Sequence, residues 1–266
     1  MRGIVQAGIV YLVGAGPGAP DLLSVRAARL LGEADIVFHD ALVPQDILAL
    51  ASKAEMIAVG KRSGRHSTAQ RFINKRLLDA ARRYRVVVRL KGGDPMLFGR
   101  AHEEIAFLTH HGVQVQIIPG ITAALAASAE LGVSLTRRGL ARSVLFATPR
   151  AAPDEQPSTW AQAAAASDTV VLYMAAGDAQ AVRDALLGAG VRPGMPVVVA
   201  ENVSLPTKAV KTGLLKDLPQ LAALCSGGPA VLLIGEVFQE QKSGSEPDYL
   251  KIESDPIFAL IASHKA

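Results

Sequence analysis

The first half of the chain alternates short apolar runs with segments of helical spacing. Between these runs, apolar residues recur as on one face of a helix, which predicts βαβ units and a parallel sheet. The predicted helices cover residues 21–31, 44–51 and 96–112. A further predicted helix is capped by Ser67 or Thr68 and runs to residue 84. The predicted strands are residues 9–13, 34–39, 56–59, 86–90 and 114–118.

The second half starts a new series of strands at Val144, Val170 and Val197, and ends it with a strand at 231–235. Strand spacing shortens around residues 208–215, which indicates a mixed sheet. The prediction is therefore an α/β protein of two α/β domains, with a mainly parallel N-terminal sheet and a mixed C-terminal sheet. Its parts are residues 1–118, residues 119–240 and a C-terminal tail, 241–266, that is either frayed or docked on a neighbouring subunit.

Glycines and charged residues follow several of the predicted strands. Gly14, Asp40, Lys61 and Gly92 each come just after a strand, and the carboxyl ends of parallel strands lie at one edge of a sheet, where ligands bind. Adjacent glycines allow a ligand to approach the backbone closely. Asp94 is predicted either to cap the helix at 96–112 or to accept a hydrogen bond from a ligand.

Composition narrows the class of protein. Half of the 266 residues are apolar, and a net charge of +4 favours an anionic partner without requiring nucleic acid. Cys225 is the lone cysteine, so the sequence contains no disulfide pair and no obvious zinc ligand set, and we expect no metal. The start of the chain does not resemble a secretion signal, and no apolar run approaches the ~20 residues of a membrane span. We expect a soluble, cytoplasmic protein without a membrane partner.

Two other functions have to be considered. Gly14, Gly16 and Ala19 match a loose dinucleotide fingerprint, with Asp40 near the expected ribose-binding position, so an NAD-dependent enzyme is one alternative. Pro17 and Pro20 argue against it, because they remove backbone donors that a pyrophosphate would need. The other alternative is a basic RNA-binding module, which is disfavoured because only 5% of the residues are aromatic and the basic residues are not clustered.

Several short motifs follow one another over about residues 9–237. In chain order they are Val13-Gly14-Ala15-Gly16-Pro17-Gly18 with Pro20-Asp21-Leu22-Leu23, Asp40-Ala41-Leu42-Val43, Gly60-Lys61-Arg62 with His66, Gln70, Ile73 and Asn74, Val88-Arg89-Leu90-Lys91-Gly92-Gly93-Asp94-Pro95, Phe98-Gly99-Arg100, Pro119-Gly120-Ile121-Thr122-Ala123-Ala124, Tyr173-Met174 and Gly228-Pro229-Ala230. Together these motifs resemble one family, the tetrapyrrole methylases, and within it the branch that methylates uroporphyrinogen III. The ordered set is more specific than any one motif.

The resemblance implies a homodimer with S-adenosylmethionine in the cleft between two domains and S-adenosylhomocysteine as a product. It implies that Asp40 is the proton acceptor and Lys61 the proton donor when uroporphyrinogen III is methylated at C2 and C7 to precorrin-2, on the way to sirohaem or cobalamin. The cofactor contacts that it implies are Pro17, Gly92, Gly93, Asp94, Leu97, Thr122, Ala123, Tyr173, Met174, Val203, Pro229 and Ala230.

The substrate of this branch carries eight carboxylates, which arginine side chains bind through charge-assisted hydrogen bonds. The residues predicted to bind it are Arg62, Arg65, Arg100 and Arg137. Arg137 departs from the family pattern, which has a histidine there. A permanent cation in place of a titratable ring leaves the orientation and affinity of the substrate open.

Overall fold

The N-terminal half forms a five-stranded parallel sheet in the order β3-β2-β4-β1-β5. The computed structural model describes residues 8–59, 66–151 and 158–239, with the backbone alone for 66–69. The sheet confirms the predicted parallel topology. Its strands are β1 Ile9–Gly14, β2 Ile36–His39, β3 Glu55–Ala58, β4 Val86–Lys91 and β5 Val115–Ile118.

Helices cover both faces of this sheet. One face packs against α1 and α2 through a core that includes Val88 and Leu90, and the other packs against α3 and α4 through a core that includes Val87. Burial on both faces explains why the strands read as nearly continuous apolar runs. The helices are α1 Val25–Glu33, α2 Gln45–Leu48, α3 His66–Ala81 and α4 Ala101–His110.

The C-terminal half forms a mixed five-stranded sheet in the order β6-β7-β10-β8-β9. Only the β6–β7 pair is parallel, and the other three pairs are antiparallel, as the short strand spacing predicted. Its strands are β6 Val144–Ala147, β7 Thr169–Tyr173, β8 Pro196–Glu201, β9 Ala209–Leu214 and β10 Ala230–Gly235. Its helices are α5 Ala123–Leu131, α6 Trp160–Ala165, α7 Ala179–Gly188 and α8 Leu218–Ala223.

Two helix predictions were wrong at their starts. The helix expected at 21–31 is a 3-10 turn, Pro20–Leu22, followed by α1, whose cap is Ser24 because its Oγ accepts from Ala27 N at 3.2 Å. The helix expected from residue 96 begins at Ala101, since Arg100 before it has a left-handed backbone, φ 54°. Asp94 is therefore not its cap.

The chain divides into two compact units between Ala123 and Ala124, a few residues after the boundary predicted from sequence. Among the residues described, no helix has the length and apolar character to cross a bilayer.

Candidate active site

Three loops meet at the carboxyl edge of the parallel sheet, after the neighbouring strands β4, β1 and β5. Gly16 and Gly93 exchange two backbone hydrogen bonds, with N–O distances of 3.2 and 2.7 Å. Asp94 Oδ2 accepts from Gly120 N at 2.9 Å, and its Oδ1 accepts from Met96 N at 2.8 Å. Asp94 therefore joins the loop after β4 to the loop after β5, and the three loops form one hydrogen-bonded platform.

Two glycines in this platform are required by packing. A Cβ on Gly120 would lie 2.3 Å from Gly93 O, and a Cβ on Gly14 would lie 2.6 Å from Gly120 Cα. Both contacts are with backbone atoms, which cannot move aside as the end of a side chain can. The backbones of the three loops approach this closely because no side chain separates them.

We predict that Gly120→Ala lowers the free energy of unfolding by about 1–3 kcal/mol, because overpacking has to displace the backbone of Gly93 or Gly14. Urea denaturation measures the change. The matched control is Gly188→Ala at the end of α7, where a Cβ meets nothing within 4 Å and alanine favours the helix. Equal stability of the two variants would contradict the close packing.

Gly92 differs from these glycines because its Cβ position is open. The residue is exposed, and a Cβ there would meet only Leu42 Cβ, at an ordinary 3.8 Å. Packing among the described residues does not require glycine at 92, whereas close approach of a ligand to the backbone would. The predicted cofactor residues that follow Gly92 in the same loop are Gly93, Asp94 and Leu97, which are partly buried. This stretch therefore fits a cofactor held against the backbone.

Other predicted cofactor residues of the first unit lie beside the platform. A Cβ on Gly93 would come 4.0 Å from Thr122 Cα, so Thr122 neighbours the loop after β4, and Ala123 follows it as the first residue of α5. Pro17 directly follows Gly16 and is half-buried.

Asp40 directly follows β2 at the same edge of the sheet, and a buried arginine side chain binds its carboxylate. Arg89 Nη2 donates to Asp40 Oδ1 at 2.5 Å. Asp40 is partly exposed, whereas Arg89 is buried on β4. The carboxylate is therefore anchored on its buried side and accessible on the other. The cation that contacts this carboxylate among the described residues is Arg89, and Lys61, the predicted proton donor, lies outside them.

Behind Arg89 lies a buried cluster of polar side chains centred on Glu104, which is fully buried. Glu104 Oε1 accepts from Arg89 Nε at 3.1 Å and from Gln70 Nε2 at 3.1 Å, and Glu104 Oε2 accepts from Lys91 Nζ at 3.0 Å. Gln70 Nε2 also donates to Asn74 Oδ1 at 3.0 Å. Two cations and two anions, counting Asp40, thus compensate one another.

The electrostatics of the two cations differ. Burial alone lowers the pKa of Arg89, but the charges of Asp40 and Glu104 outweigh burial and raise the pKa overall. Burial lowers the pKa of Lys91, the adjacent Arg89 charge lowers it further, and Glu104 offsets only part of this. Lys91 is therefore the cation of the cluster that depends most on Glu104 for its charge.

The strand period explains how these groups meet. Alternate residues of β4 point to opposite faces, so Val88 and Leu90 pack towards α1 and α2, whereas Arg89 and Lys91 point towards α3 and α4. This signal was present in the sequence as two cations at alternate positions of an otherwise apolar strand. Sequence reasoning read the strand only as buried and missed the cluster.

The predicted cofactor residues of the second unit lie in loops after β7 and β8. Tyr173 ends β7, and its Oη accepts from Ala124 N at 3.3 Å, near the start of α5. Met174 follows with 46% of its surface exposed and a left-handed φ of 56°. Val203 is buried in the loop after β8, which Glu130 of α5 holds by accepting from Ser204 N at 2.7 Å.

A buried carboxylate that sequence reasoning did not select, Glu201, organises the turn before β10. It accepts from Ser226 N at 2.9 Å, Ser226 Oγ at 3.0 Å and Gly228 N at 2.6 Å. Asn202 N donates to Pro229 O at 2.9 Å. Glu201 thereby fixes the turn from which the predicted cofactor residues Pro229 and Ala230 extend.

These contacts make the stability of the second unit depend on pH. Burial raises the pKa of Glu201, but the hydrogen bonds from Ser226 and Gly228 outweigh it, so the pKa is lowered overall. A carboxyl with a lower pKa in the folded state stabilises the fold above its unfolded pKa of about 4.3, and this stabilisation is lost as pH falls through the folded-state pKa.

We predict that Glu201→Gln costs about 1–3 kcal/mol at neutral pH, and that the difference from the wild type shrinks below about pH 4. Thermal unfolding followed from neutral to acidic pH measures it. The exposed Glu33→Gln serves as the control and should change stability by less than about 0.5 kcal/mol. A deficit that does not change with pH would refute the role given to the carboxylate.

The predicted substrate arginines divide into two groups. Arg62 and Arg65 lie outside the described residues. Arg100 makes a two-point ion pair with Glu103, with N–O distances of 2.6 and 2.8 Å, and keeps 39% of its side chain exposed. Arg137 is exposed and pairs with Ala141 through the backbone. Both described arginines therefore present charge to solvent.

Left-handed backbone at non-glycine residues concentrates in the loops after β4, β7 and β8. Such conformations cost about 1–3 kcal/mol each and cluster at functional sites. In the part of the chain that the structure describes, the non-glycine residues with positive φ are Phe98, Arg100, Met174, Asn202 and Ser204. These loops carry residues that the family motifs assign to the cofactor or the substrate.

The loop after β1 does not suit a dinucleotide. Ala15 N donates to Lys91 O and Gly16 N donates to Gly93 O, so these donors are used within the platform. A 3-10 turn follows the loop, rather than the helix N-terminus on which a pyrophosphate would sit. The geometry disfavours the NAD alternative.

A cavity of about 220 Å³ lies elsewhere, in the second unit. Its lining includes Ala164, Leu186, Val191, Met195 and Ile234, and none of the predicted site residues.

Comparisons with known proteins agree with the motifs. A family model described as tetrapyrrole (corrin/porphyrin) methylases matches residues 9–219. The chain is 40% identical over 236 residues to a uroporphyrinogen-III C-methyltransferase of Pseudomonas aeruginosa, covering 88% of this chain and 96% of that protein. It is 43% identical over 234 residues to a siroheme synthase of Psychrobacter sp. (strain PRwf-1), covering 87% of this chain and 48% of that protein. The chain thus spans about half the length of the siroheme synthases that it matches.

A solved structure shows the same likeness. The crystal structure of a uroporphyrin-III C-methyl transferase from Thermus thermophilus, complexed with S-adenyl homocysteine, has 39% sequence identity and a TM-score of 0.77, and the match covers 87% of this chain and 99% of that one. The match to most of the chain in both sequence and fold confirms the family predicted from the motifs: this chain belongs to the tetrapyrrole (corrin/porphyrin) methylases.

Proposed function

We propose that this protein transfers methyl groups from S-adenosylmethionine to C2 and C7 of uroporphyrinogen III, giving precorrin-2 for sirohaem or cobalamin synthesis. The observation that carries the proposal is Asp40 at the sheet edge, with its carboxylate fixed by Arg89 and partly open to solvent. The same edge carries the glycine platform of the loops after β1, β4 and β5.

For this reaction the protein has to align the cofactor with the substrate and to accept a proton. The bound cofactor supplies an activated methyl group, so that orienting a pyrrole carbon behind it can contribute ~7–11 kcal/mol. Attack by the ring carbon leaves positive charge on the tetrapyrrole, and neutrality returns when a proton leaves. Asp40 takes that proton.

The remaining residues bind or orient. The cofactor would lie against the open backbone of Gly92, Gly93 and Asp94. The neighbouring residues that we propose to contact it are Pro17, Leu97, Thr122 and Ala123. The residues of the second unit that we propose to contact the cofactor are Tyr173, Met174, Val203, Pro229 and Ala230. Arg100 and Arg137, with Arg62 and Arg65, would bind substrate carboxylates, and Lys61 would act as the proton donor.

Calorimetric titration separates this function from the NAD alternative. We expect S-adenosylmethionine and S-adenosylhomocysteine to bind with micromolar affinity and NAD not to bind. Binding of NAD without either sulfur nucleoside would contradict the proposal. RNA affinity that falls steeply with salt would instead favour the RNA-binding alternative.

We further propose that the protein works as a homodimer in the cytoplasm. Sedimentation velocity tests the assembly, because a dimer and a monomer of this chain differ twofold in mass. A monomer at micromolar concentration would contradict the dimer and leave the proposed chemistry intact.

A further inference from the structure

We propose that Arg89 is a positioning residue for the proton acceptor Asp40, and that Glu104 and Lys91 hold Arg89 from the buried side of the sheet. The inference deepens the proposed function and rests on it for the role of Asp40.

The guanidinium is fixed on every side by a separate acceptor. Its Nη2 donates to Asp40 Oδ1, its Nε donates to Glu104 Oε1 and its Nη1 donates to the backbone oxygens of Phe38 and Leu90, at 3.4 and 3.1 Å. A planar fork held in this way cannot turn from Asp40 without losing its other bonds. The orientation of Asp40 Oδ1 is therefore set by β2, β4 and α4 together.

Charges alternate along a row of side chains that ends at Asp40. The row runs Asp40, Arg89, Glu104 and Lys91, negative and positive in turn. When Asp40 takes a proton from the substrate, Arg89 and Lys91 share Glu104 as their counter-ion. Arg89 therefore keeps one buried ion pair that holds its position throughout proton transfer.

The described surroundings of Asp40 contain one other titratable group in contact. His39 Nδ1 lies 3.1 Å from the backbone oxygen of Asp40, not from its carboxylate. Within the described ranges, Arg89 supplies the charged contact to the carboxylate. Removing the Arg89 side chain should therefore release the carboxylate from its position.

The test compares kcat and KM for the wild type, Arg89→Met and Arg89→Lys. For Arg89→Met we expect kcat to fall about 10²-fold, at the low end of what proton transfer by a positioned side chain contributes, while KM stays within about threefold. For Arg89→Lys we expect part of the rate to return. Its kcat should fall only about 10-fold, since the charge is kept but one ammonium cannot reach both carboxylates in the geometry of the fork.

Gln70→Met is the matched control for damage to the cluster. It removes the hydrogen bond from Gln70 to Glu104 without changing any charge or touching Asp40. We expect some loss of stability and a wild-type kcat. A kcat that falls as far in Gln70→Met as in Arg89→Met would overturn the inference, as would a wild-type kcat in Arg89→Met. If Arg89→Met does not fold, a wild-type kcat in Arg89→Lys would overturn it.

A second readout does not depend on methyl transfer. Carbon NMR of protein labelled at the aspartate carboxyls, with the Asp40 signal assigned from Asp40→Asn, reports the surroundings of the Asp40 carboxylate at neutral pH without substrate. We expect the Asp40 signal to move in Arg89→Met, where the carboxylate loses its anchor, and to stay in Gln70→Met. If no tetrapyrrole is methylated but this pattern holds, the proposed function fails and the anchoring of Asp40 by Arg89 stands. If methylation proceeds and the Asp40 signal is the same in all variants, the inference fails alone.

Discussion

Asp40→Asn should lower kcat for methylation by about 10²–10⁴-fold, the range that proton transfer by a positioned side chain contributes. The asparagine Oδ1 can still accept from Arg89 Nη2, which donates at 2.5 Å in the wild type, so the anchoring of the side chain is kept. The amide cannot take the proton that leaves the methylated ring. Affinity for S-adenosylhomocysteine, measured by calorimetry, should therefore stay within about threefold, a change of less than 1 kcal/mol.

The matched control is Asp46→Asn, the same change at an exposed position in the first turn of α2. We expect wild-type kinetics from it. Unchanged turnover in Asp40→Asn would show that another group takes the proton. An equal loss of kcat and of cofactor affinity would instead point to a damaged fold.

Glu104→Gln should give the largest loss of stability, about 3–5 kcal/mol, because it removes one partner from buried ion pairs. Arg89 and Lys91 would then share a single carboxylate, that of Asp40, although both remain buried. Gln70, Arg89 and Lys91 all donate to Glu104, so in the variant they would compete for one amide oxygen, and the amide nitrogen, itself a donor, would face donors. Urea denaturation at neutral pH measures the loss.

The neighbouring Glu103→Gln makes a sharp control. Glu103 pairs with Arg100 while 34% of its side chain is exposed, and exposed pairs contribute about 0–1 kcal/mol. The two variants thus differ mainly in burial. Comparable losses would contradict the buried cluster.

The Glu104→Gln deficit should also shrink as pH rises. The pKa of Lys91 is already lowered by burial and by Arg89, and loss of Glu104 would lower it further. A lysine whose folded pKa lies below its unfolded value binds fewer protons in the folded state, so stability rises with pH. Measurements between about pH 7 and 10 follow this change, which continues until the unfolded lysine titrates near 10.4.

The parallel sheet was predictable from the sequence because its strands are buried on both faces. Apolar runs mark β1, β2 and β4, and Gly14 at the end of β1 does lie at one edge with Asp40 and Gly92, which follow β2 and β4. The family motifs assign the proposed catalytic and cofactor-binding residues to the same edge. Strand period and burial carry this information within single short segments.

The course of the loop after β4 was not predictable, because distant residues determine it. Gly-Asp-Pro before an apolar segment is typical of a capped helix. Asp94 instead uses one carboxylate oxygen on Gly120, 26 positions along the chain, and the segment turns through left-handed Phe98 and Arg100 before α4 begins. A tertiary contact outweighs the local preference.

The partner of Asp40 was missed for a related reason. Arg89 lies 49 positions away on a neighbouring strand, and the sequence does not show which cation meets a given carboxylate. Alternation along β4 could have placed Arg89 and Lys91 on one face, and Glu104 at the inward position of α4 would have completed the cluster.

The most direct test of the central claim is to count the methyl groups that reach the tetrapyrrole. Uroporphyrinogen III is incubated under anaerobic conditions with the protein and S-adenosylmethionine that carries an isotopically labelled methyl group, and the product is analysed by mass spectrometry. We predict two labelled methyl groups per tetrapyrrole with the wild type and almost none in the same time with Asp40→Asn. A tetrapyrrole that gains no label, in a sample where the cofactor is shown to bind, would contradict the account.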